Sequence, residues 1–138
     1  MERGAIPDGF ERHFRRSPLT DPWEPIYSRR GDDAVVIGLR LTAAHTNSRG
    51  FVHGGLIAAL ADNAMGLSCA ATSADPVSLV TISLAVDFVG SARTGQWLQI
   101  EPTVIKSGGS ICFTQCLVTA DSAVCARANA TFKALRKS

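Results

Sequence analysis

The chain has 138 residues, a mass of 14.6 kDa and a formal charge of +2. This length suggests one domain with a real core, because a chain of this size buries roughly two-thirds of its unfolded surface. Apolar residues make up 46% and charged residues 19%, which argues against disorder across the chain. The charge is too small to predict nucleic-acid binding from bulk electrostatics.

The four cysteines offer no metal site. None forms a CxxC pair, and no histidine lies near them at zinc-ligand spacing. The first ten residues lack the basic-then-apolar pattern of a signal peptide, so we predict a cytoplasmic protein with reduced thiols. All four are then small buried hydrophobic residues. They are Cys69, Cys112, Cys116 and Cys125.

Charge divides the chain into two parts. Residues 1–32 hold 12 of the 26 charged residues and four of the six prolines. Residues 50–92 hold three charges, all aspartates, and no Lys or Arg. We therefore predict an N-terminal segment over 1–32, made of helix and loop packed on the core, and a single domain over 33–138.

The first predicted elements are a strand and a helix. Residues 33–42 alternate between apolar and polar, which predicts a half-buried strand, and residues 43–50 read as a polar loop. Residues 54–72 are rich in Ala and Leu and are apolar nearly all round, which predicts a helix that is buried rather than amphipathic. This stretch is close to membrane-span length, but Asp62 and Asn63 at its middle make insertion costly.

Four strands are predicted after a loop at Pro76. The Ser-Gly-Gly-Ser turn at 107–110 is a hairpin signal, and short links of this kind favour an antiparallel sheet. One helix covering one face of that sheet gives an α+β layer arrangement. The helix then needs further cover, which points to a dimer. The strands are predicted at residues 80–88, 97–106, 111–120 and 124–134.

Asp62 is the outstanding candidate for chemistry, because it is the only charge in an otherwise apolar helix. A lone buried carboxylate is costly unless it is paired or used. The alternative is that Asp62 reaches the surface or caps a neighbouring element. The apolar surroundings of the helix favour a catalytic role.

His53, Gly54 and Gly55 precede the helix. Glycines at a helix start allow a ligand to approach the backbone, and the first N–H groups there lack internal partners. A carbonyl placed against them has its developing oxyanion stabilised. Gly54 and Asp62 are about 12 Å apart along a helix, so acting on one carbonyl requires Asp62 of a facing subunit. The plainer alternative is a tight turn, with His53 making a positioning hydrogen bond.

Weaker candidates surround this motif. Asn47 either holds a water or simply forms the turn, and Thr81 and Ser83 either support a nucleophilic water or are ordinary strand residues. No GxSxG motif supports a serine hydrolase.

Basic groups that suit phosphates are Arg93 and Lys106, the latter beside the turn that contains Gly108. The N-terminal Arg12, Arg15 and Arg16 are balanced by acids, which predicts a solvated surface.

Residues 47–62, N-S-R-G-F-V-H-G-G-L-I-A-A-L-A-D, carry a family resemblance. They resemble the hotdog-fold acyl-CoA thioesterases, in the phenylacetyl-CoA thioesterase (PaaI-type) branch. The signature is an Asn, then G-x-x-H-G-G, then a helix with an acid nine residues after the His. Similar segments follow as V-T-I-S-L-A-V-D-F-V, S-A-R-T-G and K-S-G-G-S, so the resemblance covers about residues 33–135.

The resemblance implies a fold and a set of roles. The fold is a hotdog, an antiparallel sheet wrapped around one long central helix, with sheets joined in a homodimer and dimers paired as a homotetramer. Asp62 matches the catalytic carboxylate, as general base or nucleophile. The Gly54 N–H matches the donor that polarises the thioester carbonyl. Asn47 matches the active-site Asn, and His53 the residue that holds this loop.

The remaining implied roles concern water and substrate. Thr81 falls where relatives carry a hydroxyl that orients water. Gly55, Arg93, Lys106 and Gly108 are candidates for contact with the substrate, the two basic residues near the CoA phosphates. CoA enters as part of the substrate, and no metal or redox cofactor is expected.

Three further questions stay open from the sequence. Trp23, Ile26 and Tyr27 either pack over the sheet or line an acyl pocket. The competing functions are a hotdog dehydratase or hydratase, pairing His53 with Asp62 as acid and base, and a non-catalytic acyl-CoA binding protein. The acyl group and its carrier, CoA or a carrier protein, are not revealed.

Overall fold

The fold is known from a computed structural model that describes residues 5–73 and 77–135. Within these residues the chain forms seven strands and one α-helix, and the predicted loop at Pro76 lies outside them. Single 3₁₀ turns occur at Asp21–Trp23 and Ala43–His45. The elements are β1 (Glu11–Arg12), β2 (Tyr27–Arg30), β3 (Val35–Arg40), α1 (Gly54–Ala71), β4 (Ser78–Phe88), β5 (Trp97–Gly108), β6 (Ile111–Ala120) and β7 (Ala123–Leu135).

The strands form one antiparallel sheet in the order β1-β2-β3-β5-β6-β7-β4. Strands β5, β6 and β7 follow each other as a meander, with the predicted hairpin between β5 and β6 closed by the pair Gly108 and Ile111. Strand β4 does not pair with β5, its neighbour in sequence. It pairs with β7 and so lies at one end of the sheet, with its outer edge unpaired in the described chain.

Helix α1 packs on one face of the sheet, against strands β3 to β7. One stripe of the helix surface is buried. The prediction that all sides of the helix are buried is therefore wrong for the single chain. The opposite face, which includes Ala58, Asp62 and Gly66, is only half-buried. Among the described residues α1 is the one helix long and apolar enough to cross a membrane, but its stripe forms the core. The buried stripe consists of Leu56, Ile57, Leu60, Ala61, Ala64, Met65, Ser68 and Cys69.

The N-terminal segment differs from the predicted helix and loop. Residues 27–30 form β2, which extends the sheet beyond β3, and Ile26 enters the core. Tyr27 packs near Trp97, with ring centroids 6.1 Å apart. Trp97 covers Gly38 so closely that a Cβ there would lie 2.3 Å from the indole, which excludes any larger residue. The segment therefore covers the face of β3 that α1 leaves open, and the domain boundary at residue 33 stays a prediction.

The cysteines are all buried, as predicted, but two of them are not free thiols. Cys69 at the end of α1 and Cys112 at the start of β6 form a disulfide with an S–S distance of 2.27 Å. The sequence could not show this pair, because it is the fold that brings their Cα atoms to 6.3 Å, within disulfide range. The expectation of four reduced thiols is corrected for these two, and Cys116 and Cys125 remain free.

Thiol titration tests this pairing. We expect the unfolded chain to show two reactive thiols without reductant and four after reduction. The native chain should show none, because burial raises the pKa of Cys116 to about 11 and also raises the pKa of Cys125, and the thiolate is the reactive form. The variant Cys112→Ser should show three without reductant. Four thiols in the unreduced wild-type chain would contradict the disulfide.

Candidate active site

The start of α1 offers one backbone N–H group that is free to bind a ligand. His53 is the N-cap residue, and its Nδ1 accepts a hydrogen bond of 2.8 Å from the Gly55 N–H. The N–H groups of Leu56 and Ile57 donate to the His53 carbonyl. The Gly54 N–H has no acceptor within the part of the chain that the structure describes. The two N–H groups therefore differ, because that of Gly55 is taken up by His53 and that of Gly54 is not. Contact between Gly55 and a substrate stays a prediction.

A cleft of about 330 Å³ opens beside Gly54. The Phe88 ring forms one wall, and a Cβ at position 54 would lie 3.0 Å from its Cζ atom. Glycine at this position therefore leaves room between the helix start and the ring. Sequence reasoning missed Phe88, because it reads as the last apolar residue of an alternating strand. The other lining residues are Asn47, Arg49, Phe51, Val52, Ile57, Gly90 and Ser91.

Asn47 fills one of the two roles that the sequence left open, that of closing the turn, and its contact with a water stays a prediction. Its Oδ1 accepts hydrogen bonds from the Arg49 and Phe51 N–H groups, at 2.9 and 3.2 Å, and so closes the turn. Its side-chain amide nitrogen has no acceptor among the residues described. Because Asn47 also lines the Gly54 cleft, this NH₂ group is available to a water or a substrate there.

Asp62 lies on the half-buried face of α1, opposite β4. The Thr81 hydroxyl donates a hydrogen bond of 2.7 Å to Asp62 Oδ1, so the structure selects Thr81 over Ser83 as the partner of the carboxylate. Thr81 stands next to a β-bulge in its pairing with β7, a feature that re-aims side chains in a strand. The bond fixes one carboxylate oxygen, and Oδ2 has no hydrogen-bond partner among the described residues.

A second cleft, of about 250 Å³, surrounds Asp62 and Thr81. It shares no lining residue with the Gly54 cleft. One lining residue is Arg15 from the N-terminal segment, whose side chain is exposed, as the sequence predicted. The separation of the two clefts agrees with the spacing argument, in which one Asp62 cannot serve its own Gly54. The remaining lining residues are Asn63, Gly66, Leu67, Ala70, Val77, Ser78, Leu79 and Phe132.

The predicted phosphate contacts are not gathered together in one chain. Arg93 lies over the Phe51 ring, at 5.1 Å from its centroid, and therefore stands beside the Gly54 cleft. Lys106 and Gly108 lie near the far end of β5, about 30 and about 36 Å from its start at the usual rise per residue. The structure thus brings Arg93 toward the site and leaves the other two exposed at the hairpin.

Trp23 lines a third cavity, of about 460 Å³, on the other side of the helix start. His53, Gly55 and Ala59 form part of its wall. Of the three residues whose role the sequence left open, Ile26 is core, Tyr27 packs on Trp97 and Trp23 lines this cavity. In the described residues, no group of three His, Cys, Asp or Glu side chains could hold a metal ion.

Comparisons with known proteins agree with this architecture. Residues 49–126 match the thioesterase superfamily. A Pseudomonas aeruginosa protein, PA0474, for which an esterase activity is proposed, is 35% identical over 92% of this chain and 96% of its own length. Human acyl-coenzyme A thioesterase 13 is 33% identical over 58% of this chain and 56% of its own.

One solved structure, a hypothetical thioesterase from Streptococcus pneumoniae with coenzyme A, superposes with a TM-score of 0.74. The superposition covers 81% of this chain and 87% of the Streptococcus protein. The two sequences are 18% identical, so this likeness shows the fold alone.

The fold and the sequence match together define a hotdog-fold thioester hydrolase. The chain belongs to the thioesterase superfamily. The predictions of a hotdog fold and of a thioester hydrolase are confirmed, while the dimer and the phenylacetyl-CoA branch stay predictions.

Proposed function

We propose that this protein is an acyl-CoA thioesterase that uses Asp62 as general base and the Gly54 N–H as oxyanion donor. The observation that carries the proposal is the pair of complementary half-sites. A carboxylate fixed by Thr81 lies in one cleft, and a free amide N–H lies in another. Among the described residues, the Asp62 cleft supplies a base but no oxyanion donor, and the Gly54 cleft supplies an oxyanion donor but no base; acyl transfer needs both.

A second copy of the chain joins the two halves. Strand β4 has an unpaired outer edge and exposed apolar side chains, among them Val80, Ile82 and Leu84. Such an edge pairs readily with another strand. Pairing β4 with its copy about a two-fold axis sets Asp62 of one protomer against the Gly54 cleft of its partner, and creates two equal sites. Further pairing of dimers as a tetramer is part of the same expectation.

The proposed reaction is hydrolysis of the C–S bond. Asp62 Oδ2 takes a proton from a water molecule as the water oxygen bonds to the thioester carbon. The negative charge that develops on the carbonyl oxygen is held by the partner's free N–H at the helix start. The C–S bond then breaks, and the departing thiolate receives the proton from Asp62. The products are a carboxylic acid and a thiol.

Coenzyme A is the proposed carrier. The human relative is named as an acyl-coenzyme A thioesterase, and the Streptococcus structure contains coenzyme A. In this chain Arg49 lines the Gly54 cleft and Arg93 stands beside it, which gives the cleft a positive rim for phosphates. The alternative of a dehydratase is less well supported, because His53 lines the third cavity and Asp62 the second cleft, so one chain does not bring the two together as acid and base.

A thioester panel tests this proposal. We expect the purified chain to release thiol from short aliphatic and aromatic acyl-CoA esters, followed with a chromogenic thiol reagent. An enoyl-CoA serves as the control for the alternative, since a hydratase would consume its double bond without releasing thiol. Binding of acyl-CoA with no thiol release, or hydration of the enoyl-CoA alone, would contradict thioesterase activity.

A further inference from the structure

We propose that Arg15 makes this site selective for acyl groups that carry a carboxylate at the end remote from the thioester. The inference rests on the proposed thioesterase function and deepens it, since it names a substrate class. It follows from the position of one unpaired guanidinium in the cleft that holds Asp62.

Arg15 stands out among the arginines of the N-terminal segment. Its guanidinium has no ion-pair, hydrogen-bond or ring partner among the residues described, and its side chain lines the Asp62 cleft. The other described arginines of the segment have partners on the protein surface. Arg12 pairs with Glu24, Arg16 with Asp21 and Arg29 with Glu101, and Arg30 lies over the Phe14 ring.

The backbone around Arg15 is fixed on both sides. The His13 N–H donates to the Ile26 carbonyl at 2.9 Å, which ties the segment to the start of β2. After Arg15, the Thr20 N–H donates to the Ser17 carbonyl at 3.1 Å and closes a turn. The backbone that carries Arg15 is therefore tied to the rest of the domain on both sides, rather than part of a loose tail.

The cleft suits a short acyl chain. Asp62 and Thr81 are at the reactive end, while Leu67, Leu79 and Phe132 supply apolar walls for methylene groups. Its volume of about 250 Å³ lies below the range of about 300–1,000 Å³ typical of cofactor-sized ligands, so it holds the acyl part and not CoA. Coenzyme A then occupies the Gly54 cleft of the partner, where Arg49 is in place.

Charge determines which acyl group fits best. Arg15 and Asp62 are the two charged residues among the described residues that line this cleft. Asp62 serves the reaction, and a neutral acyl chain offers the Arg15 guanidinium no partner. A terminal carboxylate gives the guanidinium a bidentate, charge-assisted partner, which a planar fork of donors recognises well.

The experiment compares glutaryl and pentanoyl thioesters, which have the same number of acyl carbons. Each is prepared on CoA and on N-acetylcysteamine, which has no phosphates. In Arg15→Gln we expect the ratio of kcat/KM for glutaryl over pentanoyl to fall about 10- to 100-fold on both carriers, mainly through KM. Pentanoyl hydrolysis should fall less, because the end of its chain offers no charge to the guanidinium. The matched control is Arg16→Gln, which removes a neighbouring surface cation and should leave the ratio unchanged.

The outcomes separate this inference from the proposed function. If the wild-type chain hydrolyses none of the thioesters, the thioesterase proposal fails and this inference fails with it. If pentanoyl thioesters are hydrolysed but Arg15→Gln leaves the ratio unchanged, only the selectivity is overturned. A loss confined to the CoA series would mean that Arg15 binds phosphate. An equal loss for both acyl groups on both carriers would assign Arg15 a structural role, and either result overturns the inference.

Discussion

Asp62→Asn is expected to lower kcat for thioester hydrolysis by about 10²- to 10⁴-fold, the usual contribution of a positioned general base. The asparagine side chain has the same shape, and its oxygen can still accept the hydrogen bond from Thr81. It cannot take a proton from water, however. Steady-state kinetics with an acyl-CoA measures the loss, and thermal unfolding should show a midpoint close to that of the wild-type chain.

The matched control for this variant is Asp87→Asn. Asp87 is an exposed carboxylate on the same strand as Thr81, it pairs with Arg127 at 2.9 Å, and it lines neither cleft. Removing its charge should leave turnover unchanged. Turnover near the wild-type value in Asp62→Asn would remove Asp62 from the mechanism.

Gly54→Pro is expected to lower kcat about 10²- to 10³-fold, because proline has no N–H to stabilise the oxyanion. The first helical position tolerates proline, and the extended backbone of His53 suits a residue before proline. The substitution therefore deletes one donor with little harm to the helix. Gly54→Ala is the matched control, since it adds the same Cβ against Phe88 but keeps the N–H. Equal losses in the two variants would point to crowding by the Cβ.

Mixing the two inactive variants tests whether the site is shared. A hybrid dimer of Asp62→Asn and Gly54→Pro chains contains one intact site, built from Gly54 of one chain and Asp62 of the other. After complete exchange of equal amounts, half the dimers are hybrids, so activity per chain should recover to about one quarter of wild type. No recovery after exchange has been demonstrated, for example by mass spectrometry of the mixed dimer, would contradict a site formed between subunits.

Local patterns predicted most of the elements in this fold. The period-two alternation in residues 80–88 and the Ala- and Leu-rich run in 54–72 place β4 and α1 within a few residues of their bounds. The order of strands was out of reach, because the pairing of β4 with β7 joins segments far apart in the sequence, from Phe88 with Ala126 to Ser78 with Leu135, and depends on the whole sheet. The Cys69–Cys112 disulfide was missed for the same reason.

In the candidate site too, residues with a local sequence signal could be predicted, and residues that depend on distant contacts could not. Gly54 and Asp62 were recognisable because each breaks the pattern of its own segment. Arg15 was not, because its neighbours carry balancing acids and only the tertiary fold brings the N-terminal segment to the Asp62 cleft. The different tasks of the Gly54 and Gly55 N–H groups also depend on the orientation of the His53 ring, which the sequence does not encode locally.

The open edge of β4 has a consequence for how this enzyme is switched on. An isolated chain exposes an eleven-residue strand with Ile82 and Leu84 uncovered, which is a hazard for indiscriminate aggregation. In the proposed assembly, the encounter that shields this strand also delivers the missing half of each reaction centre. Newly made chains would then stay inactive until they bind a second copy. The same association step would both protect the strand from aggregation and start turnover.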